Sequence, residues 1–227
     1  MVEILKPGKL SPPADLRREE FDEENEQIIR SQEKVAIVFI GDSITEGWNV
    51  RNAFASFGLT VNRGISGDVL DIIEKRFAAD ALQLHPEVVV IHGGVNNTFP
   101  FFETLESELP QAIEHAVSVF TNSYEKIFRA CRKAGQKVVA CAITPLAEQP
   151  SIGATARKET VVRMNEELQM LCQKYNVPFA DYHTPLAEYD GKTAQPCLTY
   201  DGLHPNDAGY CRMDRVIRPI LMAFFSR

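Results

Sequence analysis

Apolar residues follow two alternating patterns along the chain. Short, nearly continuous apolar runs recur five times, which is typical of strands buried on both faces of a parallel sheet. These runs are Val35–Ile40, Leu59–Asn62, Val88–His92, Lys137–Ile143 and Val177–Asp181. Between them lie segments whose apolar residues recur every three or four positions, which predicts helices over residues 111–135 and 157–176. A final helix is predicted from near Asn206 to about Phe225, with Pro219 kinking or dividing it.

This alternation predicts an α/β fold with a five-stranded, parallel, doubly wound sheet. A length of 227 residues fits one sizeable domain, which we assign to residues 35–227. Residues 1–34 form a highly charged N-terminal extension with a predicted helix after Pro13. The extension could pack on the domain, mediate formation of a homo-oligomer or remain a solvated surface helix, and we expect the last of these.

The composition argues against several classes of protein. Acidic residues outnumber basic ones by 31 to 24 and no dense basic run appears, so we expect no binding to nucleic acid. The N-terminus does not resemble a secretory signal, and no apolar stretch is long enough to span a bilayer, so we expect no stable membrane insertion. The five cysteines form no C-x-x-C pair, and we expect free thiols in a cytoplasmic protein.

Polar residues and glycines follow four of the five predicted strands. The stretch GDSITEG, with Ser43, follows the first run; NRGISGD follows the second, HGGVNN the third and, after a long loop, YDGLHPND the fifth. Because ligands of an open parallel sheet bind beyond the carboxyl ends of the strands, we expect these residues to meet at one edge. Those of interest in the last three stretches are Asn62, Gly64, Gly67, Gly93, Gly94, Asn96, Asn97, Asp201 and His204.

This set of residues suits nucleophilic acyl transfer. A serine hydroxyl such as that of Ser43 becomes a nucleophile when an imidazole takes its proton and a carboxylate orients the imidazole. Asp201 and His204 are three residues apart, close enough for the two side chains to meet. The backbone N–H groups of Ser43 and Gly64 and the carboxamide of Asn96 could stabilise an oxyanion. Each motif alone also fits ordinary turn chemistry; their ordered occurrence at matching strand ends favours a catalytic site.

The four motifs together resemble the SGNH hydrolases, also called the GDSL lipase/esterase family. GDSIT, NRGISG, GGVNN and DGLHPN are similar to the family's blocks in order, over the chain from about Val35 to its end. The resemblance implies a flavodoxin-like three-layer α/β/α sandwich and hydrolysis of carboxylic esters without a metal or organic cofactor. It implies Ser43 as nucleophile, His204 as base, Asp201 as the residue that orients it, and Ser43, Gly64 and Asn96 as oxyanion donors.

Two positions depart from the family pattern. Ile44 replaces the leucine after the nucleophile, and Asn97 replaces the usual aspartate after Asn96. An Asn-Asn pair also occurs in the branch resembling platelet-activating-factor acetylhydrolase catalytic subunits, which favours short to medium acyl groups. An α/β-hydrolase fits less well, because GDSITEG lacks the second glycine of the G-x-S-x-G elbow. Asp42 and Glu46 adjoin the nucleophile, but Asp201 is the expected working carboxylate.

The expected partner is a small-molecule ester, whose nature the sequence leaves open. Apolar residues within or beside the motifs are candidates for the substrate pocket: Ile44, Ile65, Val95, Phe99, Phe101, Phe102 and Leu203. A carbohydrate O-acetylesterase, a thioesterase and a lysophospholipase would use the same catalytic residues. A metal-dependent hydrolase would need several converging ligands, and His92, the extra histidine near the sheet edge, is expected to pack at its strand end instead.

Overall fold

A computed structural model describes residues 4–226, in which five parallel strands form one sheet of order β2-β1-β3-β4-β5. The strands are β1 (Val35–Gly41), β2 (Leu59–Gly64), β3 (Val88–His92), β4 (Val138–Cys141) and β5 (Phe179–Ala180). Within the described part of the chain, the α-helices are α1 (Pro12–Leu16), α2 (Arg18–Ser31), α3 (Ser43–Glu46), α4 (Val50–Ala53), α5 (Leu70–Asp80), α6 (Leu109–Ala134), α7 (Ile152–Tyr175) and α8 (Asp207–Phe225).

Helices cover both faces of the sheet. Alternate residues of β1 point to opposite faces, so Val38 and Ile40 join the core beneath α5, α6 and α7. Ile37 and Phe39 join a second core that includes Ile217 of α8. These two cores and the central sheet make a three-layer α/β/α sandwich, which confirms the predicted flavodoxin-like fold.

The fifth strand and the last helix differ from their predictions for reasons that involve proline. The fifth strand starts at Phe179 rather than at Val177 because Pro178 has no N–H to donate to a neighbouring strand, although its carbonyl accepts the N–H of Ala140. Helix α8 continues through Pro219 without being divided. Pro219 and the residue one turn earlier, Arg215, are exposed, so water can hydrate the carbonyl that the proline leaves unpaired.

The N-terminal extension packs on the domain. Phe21, Asn25 and Ile28 of α2 are buried, and Glu24 and Asn25 accept hydrogen bonds from the fully buried guanidinium of Arg63 in β2, at 2.5 and 2.6 Å. The expectation of a solvated surface helix is therefore wrong for this face of α2. The acidic residues that suggested solvation include one that neutralises a buried arginine.

Neither a bilayer-spanning helix nor a disulfide is present in residues 4–226. Three of the five cysteines are buried. Burial raises the pKa of Cys131 and of Cys172 to about 12, so both thiols are protonated at neutral pH. These cysteines act as small apolar core residues.

Candidate active site

The turn after β1 places Ser43 at the sheet edge. A Cβ atom added to Gly41 would lie 2.0 Å from the carbonyl oxygen of His92, so this close passage requires glycine. Asp42 then caps α3, because its Oδ1 accepts the N–H of Ile44 at 3.0 Å. Ser43 is the first residue of α3 and projects from its amino end.

The carboxylate of Asp42, next to Ser43 in the sequence, stabilises this turn. Asp42 is fully buried, and its Oδ2 has no hydrogen-bond partner in residues 4–226. Burial raises the pKa of Asp42 to about 7, although the hydrogen bond from Ile44 opposes the shift. Asp42 is therefore a structural cap, and no hydrogen bond joins it to His204 within residues 4–226.

Ser43, His204 and Asp201 form a chain of hydrogen bonds. His204 Nε2 lies 3.0 Å from Ser43 Oγ, and His204 Nδ1 lies 2.6 Å from Asp201 Oδ2. Partial burial opposes ionisation of Asp201, but hydrogen bonds from His204 and from the Leu203 N–H lower its pKa to about 2. An ionised carboxylate can only accept hydrogen bonds, so the proton of a neutral imidazole is held on Nδ1 and Nε2 is free to accept the Ser43 hydroxyl proton.

Helix α8 is tied to the nucleophile helix α3 by an aromatic residue that the motifs do not contain. The hydroxyl of Tyr210 in α8 donates to the carbonyl oxygen of Ile44 in α3 at 2.9 Å. Its ring stacks on Trp48, with the ring centroids 5.3 Å apart. This contact keeps the His204 loop, which precedes α8, close to Ser43.

The two glycines of NRGISGD have different tasks. The N–H of Gly64 donates to Asn62 Oδ1 at 2.8 Å, and a Cβ atom added to Gly64 would lie 2.1 Å from the backbone nitrogen of Glu46. The expectation that Gly64 donates to an oxyanion is therefore wrong, because its N–H is already used and its task is close packing of β2 on α3. Gly67 is exposed, has φ +84°, and its N–H has no acceptor within the described chain.

Asn96 lies beside this free N–H. Its Nδ2 donates one hydrogen to the carbonyl oxygen of Asp68, which follows Gly67, at 2.9 Å. The carboxamide has a second hydrogen to offer. The N–H of Ser43, at the first position of α3, also lacks an acceptor within residues 4–226. Within residues 4–226, the N–H groups of Ser43 and Gly67 and the second hydrogen of Asn96 Nδ2 are thus donors without an acceptor.

Asn97 caps a different helix. Its Oδ1 accepts the N–H of Leu70, the first residue of α5, at 2.9 Å. An aspartate could accept the same hydrogen bond, so asparagine at this position preserves the contact.

Four of the proposed pocket residues belong to the core. Ile44, Ile65, Val95 and Phe101 are at most 2% exposed, so their assignment to an open pocket is wrong. Residues 95–102 form a 3₁₀ helix, in which side chains three positions apart share a face. Its inner face carries Val95 and Phe101.

The next face of the same 3₁₀ helix carries Asn96, Phe99 and Phe102. Phe99 is 44% exposed and Phe102 is 41% exposed. With Leu203, Asp201 and Arg157 these rings line a cavity of about 240 Å³, which we call the arginine cavity. Three of the seven candidate pocket residues therefore reach a cavity beside the His204 loop.

A second cavity, of about 510 Å³, is lined by Ser43 and His204, and we call it the tryptophan cavity. Trp48, Asn52 and Tyr210 line it together with both catalytic candidates. These three lining residues were not singled out from the sequence. Trp48 follows GDSITEG directly, which is the one signal that could have suggested it.

His92 does not face either cavity. It is buried at the end of β3, with its ring centroid 5.6 Å from that of Tyr182. Burial lowers the pKa of His92 to about 4, so the ring is neutral. Within residues 4–226, no group of three or more histidine, cysteine, aspartate or glutamate side chains has the arrangement of a metal site.

Comparison with known proteins places this geometry in a family. The sequence model of the GDSL-like lipase/acylhydrolase family matches residues 39–212, which include Ser43, Gly67, Asn96, Asp201 and His204. The chain belongs to this family. The match begins in β1 and ends in α8, within the part of the chain that the sequence-based resemblance covers.

Relatives of this GDSL-like protein include esterases. An acetylxylan esterase of Xylanibacter ruminicola is 24% identical over 215 residues, which cover 82% of this chain and 43% of the relative. The chain thus spans less than half the length of that relative. Among solved structures, a GDSL-like lipase from Bacteroides thetaiotaomicron superposes with a TM-score of 0.72 at 24% identity, covering 90% of this chain and 97% of the other. The acetylxylan esterase Axe2 from Geobacillus stearothermophilus superposes with a TM-score of 0.64 at 17% identity, covering 83% and 94% of the two chains. These superpositions support the fold.

Proposed function

We propose that this GDSL-like protein is a serine ester hydrolase. The observation that carries the proposal is the pair of hydrogen bonds that joins Asp201, His204 and Ser43 at the carboxyl edge of the sheet. A serine with a neighbouring imidazole and an orienting carboxylate is equipped for acyl transfer.

In the first step, His204 Nε2 removes the proton of Ser43, and Oγ attacks the ester carbonyl carbon. The ionised Asp201 stabilises the imidazolium that forms. The N–H groups of Ser43 and Gly67 and the free hydrogen of Asn96 Nδ2 donate to the oxyanion. The alcohol leaves with the proton from His204, so the products of this step are the alcohol and an acyl-Ser43.

In the second step, water attacks the acyl-Ser43 carbonyl while His204 removes a proton from the water. The same donors hold the second oxyanion, and its collapse releases the carboxylic acid and restores Ser43 with the proton returned by His204. No other reactant is needed.

The proposed substrates are esters with short to medium acyl groups. The exposed rings of Phe99 and Phe102 give the arginine cavity an apolar wall, and its volume of about 240 Å³ suits a small substituent. Rates with the p-nitrophenyl esters of acetate, octanoate and palmitate test the chain length. A carbohydrate O-acetylesterase is the second candidate, favoured by the similarity to an acetylxylan esterase, and release of acetate from acetylated xylan tests it.

Replacement of the nucleophile tests the proposal directly. Ser43→Ala is expected to abolish hydrolysis of p-nitrophenyl acetate and covalent labelling by a fluorophosphonate probe. Ser118→Ala is a matched control, because Ser118 lies exposed on α6 and its Oγ accepts a hydrogen bond from the exposed side chain of Asn122. The control should retain both properties. A Ser43→Ala protein that is still labelled, or still turns over, would refute the role of Ser43.

We also propose a cytoplasmic location, as the absence of disulfides among the five cysteines suits a reducing compartment.

A further inference from the structure

Arg157 in α7 is a buried cation with few partners. Its side chain is 5% exposed, and Nε donates to Thr98 Oγ1 at 3.0 Å. The guanidinium carbon lies 4.4 Å from the ring centroid of Phe99 and 4.5 Å from that of Phe102. In residues 4–226 it forms no salt bridge, and its buried Nη2 has no hydrogen-bond acceptor.

Such an arrangement is unfavourable in the free protein. A buried charge normally has an opposite charge beside it, and aromatic faces recover only part of the lost hydration. The next residue, Lys158, follows the rule, because it is also buried and pairs with Glu148. Burial lowers the pKa of Arg157 to about 10, so the side chain still carries its charge at neutral pH.

The unpaired guanidinium lines the arginine cavity, as do Asp201 and Leu203. Asp201 does not neutralise it. Both oxygens of that carboxylate already accept hydrogen bonds, Oδ2 from the imidazole of His204 and Oδ1 from two backbone N–H groups. The cavity is therefore lined by a positive charge and two aromatic rings, with Asp201 at its border.

We infer that Arg157 binds a negatively charged substituent of the ester substrate, a carboxylate or a phosphate. The hydrocarbon between this substituent and the ester would lie against Phe99 and Phe102. Arginine suits this task because it keeps its charge when buried, and its guanidinium carries further N–H donors beside the Nε–H that Thr98 accepts. The inference rests on the proposed ester hydrolysis and names the class of substrate for it.

Matched pairs of esters test this preference. For an acyl-side charge, the pair is mono-p-nitrophenyl succinate and p-nitrophenyl butyrate; for an alcohol-side charge, it is 4-acetoxybenzoate and its methyl ester. The compound 4-acetoxyphenyl phosphate replaces the carboxylate by a phosphate. We expect Arg157→Gln to lower the ratio of kcat/KM for the anionic ester to that for the neutral ester by about 10-fold or more in the preferred arm. Arg157→Lys, which keeps the charge without the fork, should lose less.

Arg163→Gln is the control for a general charge effect. Arg163 lies on the same helix and its replacement by glutamine removes the same charge, but its side chain is 41% exposed and pairs with Glu114. Its selectivity ratio should equal that of the wild type. If Arg157→Gln lowers the rates with both members of every pair equally, Arg157 acts only as a structural contact between α7 and the 3₁₀ helix, and the inference is refuted.

A binding measurement separates this inference from the proposed function. The Ser43→Ala protein is titrated calorimetrically with monomethyl succinate and with its neutral counterpart, dimethyl succinate. We expect tighter binding of the anion, loss of that preference when Arg157→Gln is added, and a smaller reduction of it when Arg157→Lys is added. Failure of the wild type to cleave any ester would refute the proposed function alone. Equal binding of both probes by Ser43→Ala, together with equal kcat/KM ratios in all arms, would refute the anion site alone.

Discussion

Replacing Asn96 by alanine should lower both kcat and the free energy of unfolding, through the loss of two different hydrogen bonds. The Asn96 carboxamide gives one hydrogen to the carbonyl oxygen of Asp68, at 2.9 Å, and is proposed to give the other to the oxyanion. Loss of one oxyanion donor costs about 3–4 kcal/mol of transition-state stabilisation, or about 10²–10³ in kcat. Because Asn96 is 7% exposed, its removal also leaves the Asp68 carbonyl without its partner, which costs about 1–3 kcal/mol of stability.

Asn97→Ala is the control that separates the two effects. Asn97 is adjacent in sequence and its Oδ1 caps α5 through the N–H of Leu70, but it has no proposed contact with the reacting ester. Loss of the cap should lower the free energy of unfolding by about 1 kcal/mol. We expect kcat to stay within a few fold of the wild-type value, because the oxyanion donors remain.

The assay is kcat for p-nitrophenyl acetate under saturation, combined with urea unfolding of each variant. We expect both asparagine variants to be destabilised and only Asn96→Ala to lose about 10²–10³ in kcat. A normal kcat in Asn96→Ala would show that this side chain only supports the Gly67 loop. An equal loss in Asn97→Ala would show that displacement of the segment, and not loss of a donor, slows the reaction.

Three other predictions follow from single contacts. Asp201→Asn should lower kcat by about 10³–10⁴ with little loss of stability, because an amide N–H facing His204 Nδ1 favours the tautomer whose Nε2 cannot take a proton; a kcat near that of the wild type would refute this role. Phe21→Ala should cost about 3–5 kcal/mol in urea unfolding, because Phe21 is 2% exposed and lies under Arg63; an unchanged midpoint would mean that α2 does not stabilise the domain. The pKa of Asp42 is raised to about 7 in the folded protein, against roughly 4 in the unfolded chain. Between these two pH values the native state therefore binds more protons than the unfolded state. Stability relative to Asp42→Asn should therefore fall as pH rises from about 4 to about 7, by up to roughly 1 kcal/mol per pH unit, and parallel unfolding curves for the two proteins would contradict this.

Local sequence was sufficient to predict the strands of the sheet and the hydrogen-bonded residues Ser43, His204 and Asp201. Nearly continuous apolar runs such as Val35–Ile40 have few alternatives to a strand buried on both faces. The turn after β1 and the spacing of Asp201 and His204 then restrict which side chains can meet at the edge. The family resemblance added the order of the motifs.

Glycine roles could not be predicted in the same way. Gly64 and Gly67 belong to one motif, and both lack a side chain, so sequence does not distinguish them. Gly64 is required because residues of α3 that lie 18 to 19 positions earlier in the chain pack against it, a contact that the fold creates. Glycine is favoured at position 67 because the backbone φ there is positive, and the path of the loop that leads to α5 determines this φ. Both reasons arise from tertiary structure.

The segment after β3 shows why only some of the candidate pocket residues line a cavity. A 3₁₀ helix has three residues per turn, so one face takes Val95 and Phe101 into the core while the next presents Asn96 and Phe99. In an α-helix or an extended loop the same residues would be distributed differently. The consequence for function is a coupling: the proposed oxyanion donor and the aromatic wall of the arginine cavity lie on one short segment, which Arg157 joins to α7 through Thr98. Substrate binding at Arg157 and oxyanion stabilisation by Asn96 would therefore depend on the same short segment.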